Sequence, residues 1–199
     1  MVWKEKIFEE KMTPFIDEIY KKTFSKLSEI KRATRNDDDD IKIMFMDKEL
    51  AIDTRLFFTD GTILTLQEKT LQYSKKKWNS FTFEYYNDPT MKQEGEWFKL
   101  ASQLYFFGYA NKDETGYAEY WIIDIPKLRL FLKKDIGIKT LIEKYLRQNP
   151  PLARANFFAI PFELFENNKE ICIIKKDLAI HKKDIYLSEN EIEQDYLNL

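Results

Sequence analysis

The sequence predicts an α/β fold in which helices flank a β-sheet. Three observations support this prediction: an amphipathic segment at the N-terminus, two strand-like runs around the dipeptide Asp60-Gly61, and the apolar run "YWIIDI". Apolar spacings of three and four indicate a helix, and Asp-Gly between strand-like runs indicates a hairpin. A short and strongly apolar run indicates a strand buried on both faces. With 199 residues, 44% of them apolar, the chain can build a sizeable core.

The N-terminal residues 3–32 are predicted to form one long amphipathic helix. Pro14 interrupts the pattern and marks a break if Thr13 caps a second helix that has Pro14 at its first position. The acidic run "RNDDDD" (35–40) then forms a charged, solvated connector. The apolar positions that define the helix are Phe8, Met12, Phe15, Ile16, Ile19, Tyr20, Leu27 and Ile30.

The central part of the chain is predicted to be an antiparallel meander of three or four strands, followed by alternating helices and strands. Pro161 argues against a central position for the strand that contains it, because proline cannot donate to a ladder. The predicted strands are 41–46, 49–58, 63–73, 79–88, 120–125 and 155–165, an edge pair is predicted within 170–187, and helices are predicted at 95–111 and 137–150.

The register of the first hairpin decides which polar side chains meet. If the turn is centred on Asp60, Asp53 lies opposite Gln67, and Lys69 follows one step further on the same face. If the loop has two residues, Asp53 faces Glu68 instead. Alternate residues of a strand share a face, and Glu68 falls on the leucine-bearing face of its strand. We therefore favour Gln67 and Lys69 as the polar pair.

An acid and a lysine on adjacent strands can serve phosphodiester hydrolysis. A carboxylate such as Asp53 binds hard divalent cations, and Mg²⁺ or Mn²⁺ can lower the pKa of water and stabilise charge on phosphate. Lys69 can orient the attacking water or stabilise the transition state. Glu84 and Glu68 are the nearest candidates for a second metal-binding carboxylate. The simpler alternative is a cross-strand ion pair between Asp53 and Lys69 on a solvated sheet face.

The order of predicted elements, with Asp53 in "AIDTRL" and Gln67-Glu68-Lys69 in "LTLQEKTL", resembles the PD-(D/E)XK nuclease superfamily. The resemblance covers about residues 5–132 and implies a restriction-endonuclease-like core: a mixed central sheet, made of an antiparallel meander and a later parallel strand, flanked by helices. Residues 133–199 would be a C-terminal extension of one domain, 1–199. Gln103 in "QLYFFGYA" resembles the glutamine of the exonuclease-like branch, although Phe107 replaces the tyrosine expected there.

The resemblance implies a metal-dependent DNA nuclease. Asp53 would bind Mg²⁺, Lys69 would assist the attacking water, and Gln103 would orient the cluster or contact phosphate. Gln67 departs from the family pattern, which has an acid there. Either Gln67 helps to hold the water while Glu84 supplies the missing carboxylate, or the protein binds DNA or a protein partner without cutting. The small size indicates a stand-alone enzyme of a phage, plasmid or other mobile element.

The segment "SKKKW" contains the predicted nucleic-acid contacts. Lys75, Lys76 and Lys77 can contact backbone phosphates, and Trp78 can stack on a base. The alternative is a solvated loop with a half-buried tryptophan. A net charge of −2 is unlike that of strongly basic nucleic-acid binders, but local patches matter more than the sum.

Several other classes lack support in the sequence. It has neither a P-loop nor a dinucleotide glycine pattern, and a single histidine, His181, argues against a His-rich zinc site. The single cysteine, Cys172, fits a reducing, cytoplasmic location. No run reaches 18 apolar residues and the first residues are highly charged, so we expect neither a membrane partner nor a signal peptide. A homodimer and an unrelated α/β interaction protein, in which Asp53 and Lys69 merely pair, both stay open.

Overall fold

The computed structural model describes residues 2–33, 45–46, 49–148, 155–166, 168 and 170–176. The helices are α1 (Val2–Thr23), α2 (Glu96–Lys99), α3 (Ile125–Phe131), α4 (Ile138–Tyr145) and α5 (Glu163–Glu166), with a 3-10 turn at Tyr73–Trp78 and a π-turn at Leu132–Ile136. The strands are β1 (Leu27–Arg32), β2 (Thr54–Phe58), β3 (Ile63–Leu71), β4 (Ser80–Asp88), β5 (Gln93–Glu94), β6 (Leu104–Ala110), β7 (Tyr117–Asp124), β8 (Leu146–Gln148), β9 (Asn156–Pro161) and β10 (Cys172–Lys176).

The strands form two sheets. The large sheet has the order β1-β2-β3-β6-β7-β10, and the small sheet has the order β5-β4-β9-β8. In the large sheet β3 and β6 are parallel, and the other neighbours are antiparallel. The predicted α/β class with a mixed sheet is therefore confirmed at this level. The restriction-endonuclease-like core stays a prediction.

Apolar side chains fill both faces of the large sheet. On one face, α1 buries residues such as Met12 and Ile16 against Leu66 and Phe106. The other face packs on the small sheet through a cluster rich in aromatic rings. Its centre is Phe81, fully buried, whose ring contacts those of Phe83, Tyr105, Phe107 and Phe165 at centroid distances of 5.3, 4.9, 5.3 and 6.1 Å.

The predicted helix over residues 3–32 is wrong in its last third. The helix α1 ends at Thr23, and residues Leu27–Arg32 form strand β1. A bulge shifts the β1–β2 register between Leu27 and Glu29. In a regular strand, residues three apart face opposite sides. The extra residue of the bulge lets Leu27 and Ile30 pack on the same apolar cluster, so their spacing in the sequence resembles that of a helix. Pro14 lies inside α1 and does not end it.

The helix predicted at 95–111 is also mostly wrong. Only Glu96–Lys99 is helical, and Leu104–Ala110 is strand β6, in which all seven residues are buried. A strand buried on both faces has no alternation of polar and apolar residues, so periodicity cannot distinguish it from a buried helix. At Gly108 the ring of Tyr117 lies 2.5 Å from the position that a Cβ would occupy, so this strand accepts no side chain there.

The strand predicted at 79–88 exists as β4, but it does not extend the meander. The 3-10 turn Tyr73–Trp78 and the left-handed Asn79 (φ 43°) take the chain out of the large sheet, and β4 pairs with β5 and β9 instead. The inference from Pro161 was wrong for β9, which lies between β4 and β8. Pro161 is the last residue of β9, beyond the part that pairs with β8, so no ladder bond is lost there.

Some predictions fall on residues that the structure does not describe. They are the connector at 35–40, most of the strand at 41–46, His181, and the part of the predicted edge pair beyond residue 176.

Strand β10 is an edge strand of the large sheet, as predicted. Within the described ranges no helix is both long enough and apolar enough to cross a membrane.

Replacing Phe81 by alanine should lower the free energy of unfolding by about 3–5 kcal/mol, because the substitution leaves a cavity among four aromatic rings. Urea denaturation followed by circular dichroism measures the change. Met91→Ala is the control, since Met91 is 78% exposed and its loss should change stability by less than about 0.5 kcal/mol. Equal stabilities of the two variants would contradict this description of the core.

Candidate functional site

The hairpin between β2 and β3 has the register of a turn centred on Asp60. Thr54 lies opposite Leu66, and Arg55 lies opposite Thr65. Asp53, directly before β2, is thereby placed beside Gln67. The Asp53 carboxylate accepts a hydrogen bond from the backbone N–H of Glu68 at 2.9 Å, which holds it against β3.

Gln67 and Lys69 lie on the face of the large sheet that packs on the small sheet. They share this face because they are two residues apart, and β6 places Tyr105 next to Gln67 in the parallel ladder. The Lys69 ammonium donates a hydrogen bond to the backbone carbonyl of Thr82 on β4 at 3.2 Å. The lysine therefore bridges the two sheets at the edge of the aromatic cluster.

The carboxamide oxygen of Gln67 is buried, and none of the described residues donates a hydrogen bond to it. Leaving a buried acceptor without a donor costs about 1–3 kcal/mol, so such atoms are rare in folded proteins. A cation, a water molecule or a ligand N–H group would satisfy this oxygen. It is the one sequence-predicted site atom whose environment points to a missing partner.

Glu96, at the start of α2, also belongs to the site. The Tyr105 hydroxyl donates to its carboxylate at 2.6 Å, and the backbone N–H of Glu84 hydrogen-bonds the same carboxyl group. Gly95 permits this approach, because a Cβ at this position would lie 2.8 Å from the carbonyl oxygen of Glu84. Sequence reasoning missed Glu96, since an acid in the first turn of a helix is normally explained by the helix dipole.

The charges of the site interact with one another. Burial and the charge of Glu84 raise the pKa of Glu96, while Lys69 and the hydrogen bond from Tyr105 oppose this rise. Burial, followed by the negative charges of Glu96, Asp53 and Glu84, raises the pKa of Tyr105 well above its usual range. These interactions join the residues into what we call the polar cluster: Asp53, Gln67, Lys69, Glu84, Glu96 and Tyr105.

Glu68 lies on the opposite face of β3, against α1. Its carboxylate accepts hydrogen bonds from Arg32 Nε and Nη2, both at 3.1 Å, and from the Tyr20 hydroxyl at 2.9 Å. Arg32 also pairs with Asp17 on α1 at 2.6 Å. Of the two extra carboxylates predicted for the metal, Glu84 interacts with Glu96 and Tyr105, and Glu68 is directed to the opposite face of β3.

Gln103 lies in the loop before β6 rather than on a helix. Its carboxamide oxygen accepts a hydrogen bond from the backbone N–H of Thr65 at 3.0 Å, and its backbone carbonyl accepts one from Ile125 at 3.0 Å. These contacts hold the start of β6 against β3. The structure gives Gln103 this pairing role and shows no placement of its side chain within the polar cluster.

The residues predicted to contact nucleic acid lie in the 3-10 turn Tyr73–Trp78. Lys76 forms a close ion pair with Glu119, which is only 3% exposed. Trp78 is 54% exposed, and the Lys75 ammonium lies 4.6 Å from the centre of its ring. Lys77 is exposed. All four predicted residues thus face solvent at least in part, and Lys76 is paired with a buried acid.

The donor set of the polar cluster suits a magnesium ion bound with few protein ligands. Across the described ranges no three acidic, histidine or cysteine side chains converge closely enough to form a complete metal cage. Mg²⁺ does not require one, because it keeps several waters and is commonly held by one or two carboxylates plus substrate phosphates. Oxygens of Asp53 and Glu84, with the Gln67 oxygen to which no described residue donates, are of the required kind.

Comparisons with protein-family models, curated proteins and solved structures find no match for this chain.

Replacing Glu96 by glutamine should remove one contribution to the pH dependence of stability. Glu96 has a higher pKa in the folded protein than in the unfolded chain, where glutamates titrate near 4.3, so the folded state retains the proton to higher pH. Its titration therefore lowers the wild-type unfolding free energy as pH rises from about 4 through the folded pKa. The stability of Glu96→Gln minus that of the wild type should increase across this interval.

Urea denaturation in buffers containing EDTA at several pH values measures this difference. Glu143→Gln, at an exposed position on α4, is the control and should show a constant difference. A difference for Glu96→Gln that stays constant or falls with pH would mean that the carboxyl group is not buried as described.

Proposed function

We propose that this chain is a metal-dependent nuclease that hydrolyses phosphodiester bonds in DNA at the polar cluster. The observation that carries the proposal is the placement of Asp53, Gln67 and Lys69 together at β2 and β3, where the buried Gln67 oxygen accepts no hydrogen bond from any described residue. A carboxylate, an acceptor oxygen that a cation can satisfy and an ammonium group are the minimal set of groups for this reaction. The resemblance of the sequence motif to the PD-(D/E)XK nucleases supports DNA as the substrate.

Asp53 and Glu84, with the carboxamide oxygen of Gln67, would hold Mg²⁺ or Mn²⁺. A bound ion would supply Lewis-acid stabilisation of the phosphate and lower the pKa of water. The carboxylates of the polar cluster outnumber its single ammonium group, so the cluster favours a cation electrostatically. Glu84 would thereby supply the second metal-binding carboxylate, which the amide side chain of Gln67 cannot provide.

Lys69 would position the attacking water and stabilise charge on the phosphate. Its ammonium has three N–H groups, and one of them is donated to the Thr82 carbonyl, which fixes the direction of the side chain. The remaining N–H groups are then available to water and to a phosphate oxygen.

A second candidate function is binding of DNA without cleavage. Two observations favour it: Gln67 replaces an acid, and backbone groups already occupy the Asp53 carboxylate and the Lys69 ammonium. Both candidates use the same surface, and they differ in whether a divalent cation is bound and used.

Purified protein should cleave linear, circular or branched DNA when Mg²⁺ or Mn²⁺ is added. Asp53→Asn and Lys69→Ala should each lower the rate about 100-fold or more, since one removes a metal ligand and the other a transition-state donor. Lys139→Ala is matched to the lysine variant, because it removes an exposed lysine from α4, and it should retain full activity. Cleavage that survives both site substitutions would exclude these roles.

Calorimetric titration with Mn²⁺ separates the two candidate functions. Wild-type protein should bind the ion, and Asp53→Asn and Gln67→Ala should weaken binding because each removes an oxygen ligand. Glu68→Gln should leave the affinity unchanged, since that carboxylate faces α1. Retention of DNA by a protein that neither binds Mn²⁺ nor cuts would favour the second candidate.

A further inference from the structure

Two aromatic rings lie on the surface at the end of β3, beyond the polar cluster. Tyr73 is 39% exposed and Trp78 is 54% exposed, at the two ends of the same 3-10 turn. Each ring has a lysine over its face: Lys75 lies 4.6 Å from the centre of the Trp78 ring, and Lys112 lies 5.4 Å from that of Tyr73. Lys112 comes from the turn between β6 and β7, so distant segments contribute to one surface.

The turn that carries these rings is fixed to the large sheet. Lys76, in the middle of the turn, pairs with Glu119 of β7, which also accepts a hydrogen bond from the Trp121 indole N–H at 3.0 Å. The Tyr109 hydroxyl donates to the carbonyl of Ser80, just after the turn, at 3.0 Å. Lys76 is therefore an anchor, and the turn that carries the rings is fixed before any ligand arrives, which lowers the entropic cost of binding.

We propose that Tyr73, Trp78, Lys75, Lys77 and Lys112 form a binding surface for single-stranded nucleic acid. The two rings stack on unpaired bases, and the lysines contact phosphates. Aromatic rings set among lysines are the usual elements of such surfaces, and stacking is tolerant of sequence because every base has a π-face. In a duplex the faces of the bases are covered by neighbouring base pairs, so exposed rings favour an unpaired strand.

This inference rests on the proposed function and names its substrate class as DNA with unpaired ends or segments. Lys69 and Tyr73 follow one another on β3 and the turn after it, four residues apart. At about 3.3 Å per residue, they are separated by roughly 13 Å along the strand direction. A strand stacked on Tyr73 would therefore lead its next phosphates toward the polar cluster.

Fluorescence anisotropy of a labelled oligo(dT) in buffer with EDTA tests the surface without any contribution from cleavage. Trp78→Ala and Tyr73→Ala should each weaken binding roughly fivefold to 100-fold. Trp78→Phe should bind almost as well as the wild type, because the ring is kept. Lys77→Ala should weaken binding and reduce the slope of log K against log salt by roughly 0.7, whereas Lys139→Ala should change neither.

Tryptophan fluorescence gives a second readout that does not depend on the alanine variants. In a Trp3→Phe background, oligo(dT) should quench part of the emission, and adding Trp78→Phe should abolish this quenching, since Trp121 is buried and Trp97 is only partly exposed. Melting temperatures of all variants should match that of the wild type, because both rings lie on the surface.

Three results would overturn the inference: no oligo(dT) binding at low salt, unchanged affinity in both Trp78→Ala and Tyr73→Ala, or equal or tighter binding of a blunt duplex of the same length. Strand binding through these rings combined with no cleavage under any divalent cation would overturn the nuclease function alone. The same variants can be compared for cleavage of substrates with unpaired ends. If Asp53→Asn loses cleavage while Trp78→Ala and Tyr73→Ala retain it, the binding surface alone would be overturned.

Discussion

The parallel pairing of β3 with β6 is the constraint on which the rest of the structure depends. Parallel neighbours cannot be joined by a tight turn, so the chain between them must cross one face of the sheet. This crossover contains β4, β5 and α2, and it carries Glu84 and Glu96 over the face that bears Lys69. The same pairing places Tyr105 beside Gln67, where its hydroxyl binds Glu96. The acids of the polar cluster thus come together as a consequence of topology.

The two faces of β3 serve different purposes. Glu68 on one face completes a network with Arg32 and Tyr20 that attaches α1 to the large sheet. Gln67 and Lys69 lie on the other face, at the border of the aromatic core. The Gln67 oxygen accepts no hydrogen bond from the residues that the structure describes, and the Lys69 ammonium donates across the sheets to Thr82. Burying a carboxyl group such as Glu96 costs stability unless its charge is compensated. A cluster of this kind next to a well-packed core is typical of sites that natural proteins retain for binding or chemistry at the expense of stability.

The ion pair between Lys76 and Glu119 gives this lysine a structural contact that its residue type does not reveal. In the sequence, Lys76 is one of three adjacent lysines, which are predicted to contact backbone phosphates. In the structure, the buried carboxylate of Glu119 pairs with it, and this contact ties the turn between the two exposed rings to β7. The nucleic-acid surface that we infer depends on this anchor and on Lys112, which is distant in sequence.

The sequence by itself determined the α/β class, the hairpin at Asp60-Gly61 and the sharing of one β3 face by Gln67 and Lys69, because alternation along a strand is a local property. It also indicated Asp53 as their neighbour, subject to the hairpin register. Only the tertiary structure decided that residues 104–110 form a strand, that β4 belongs to a second sheet, and that Glu96 joins the site. Local patterns record which side chains are buried, but not which distant segment covers them. That choice depends on long-range strand pairing, which leaves no periodic signal in the chain.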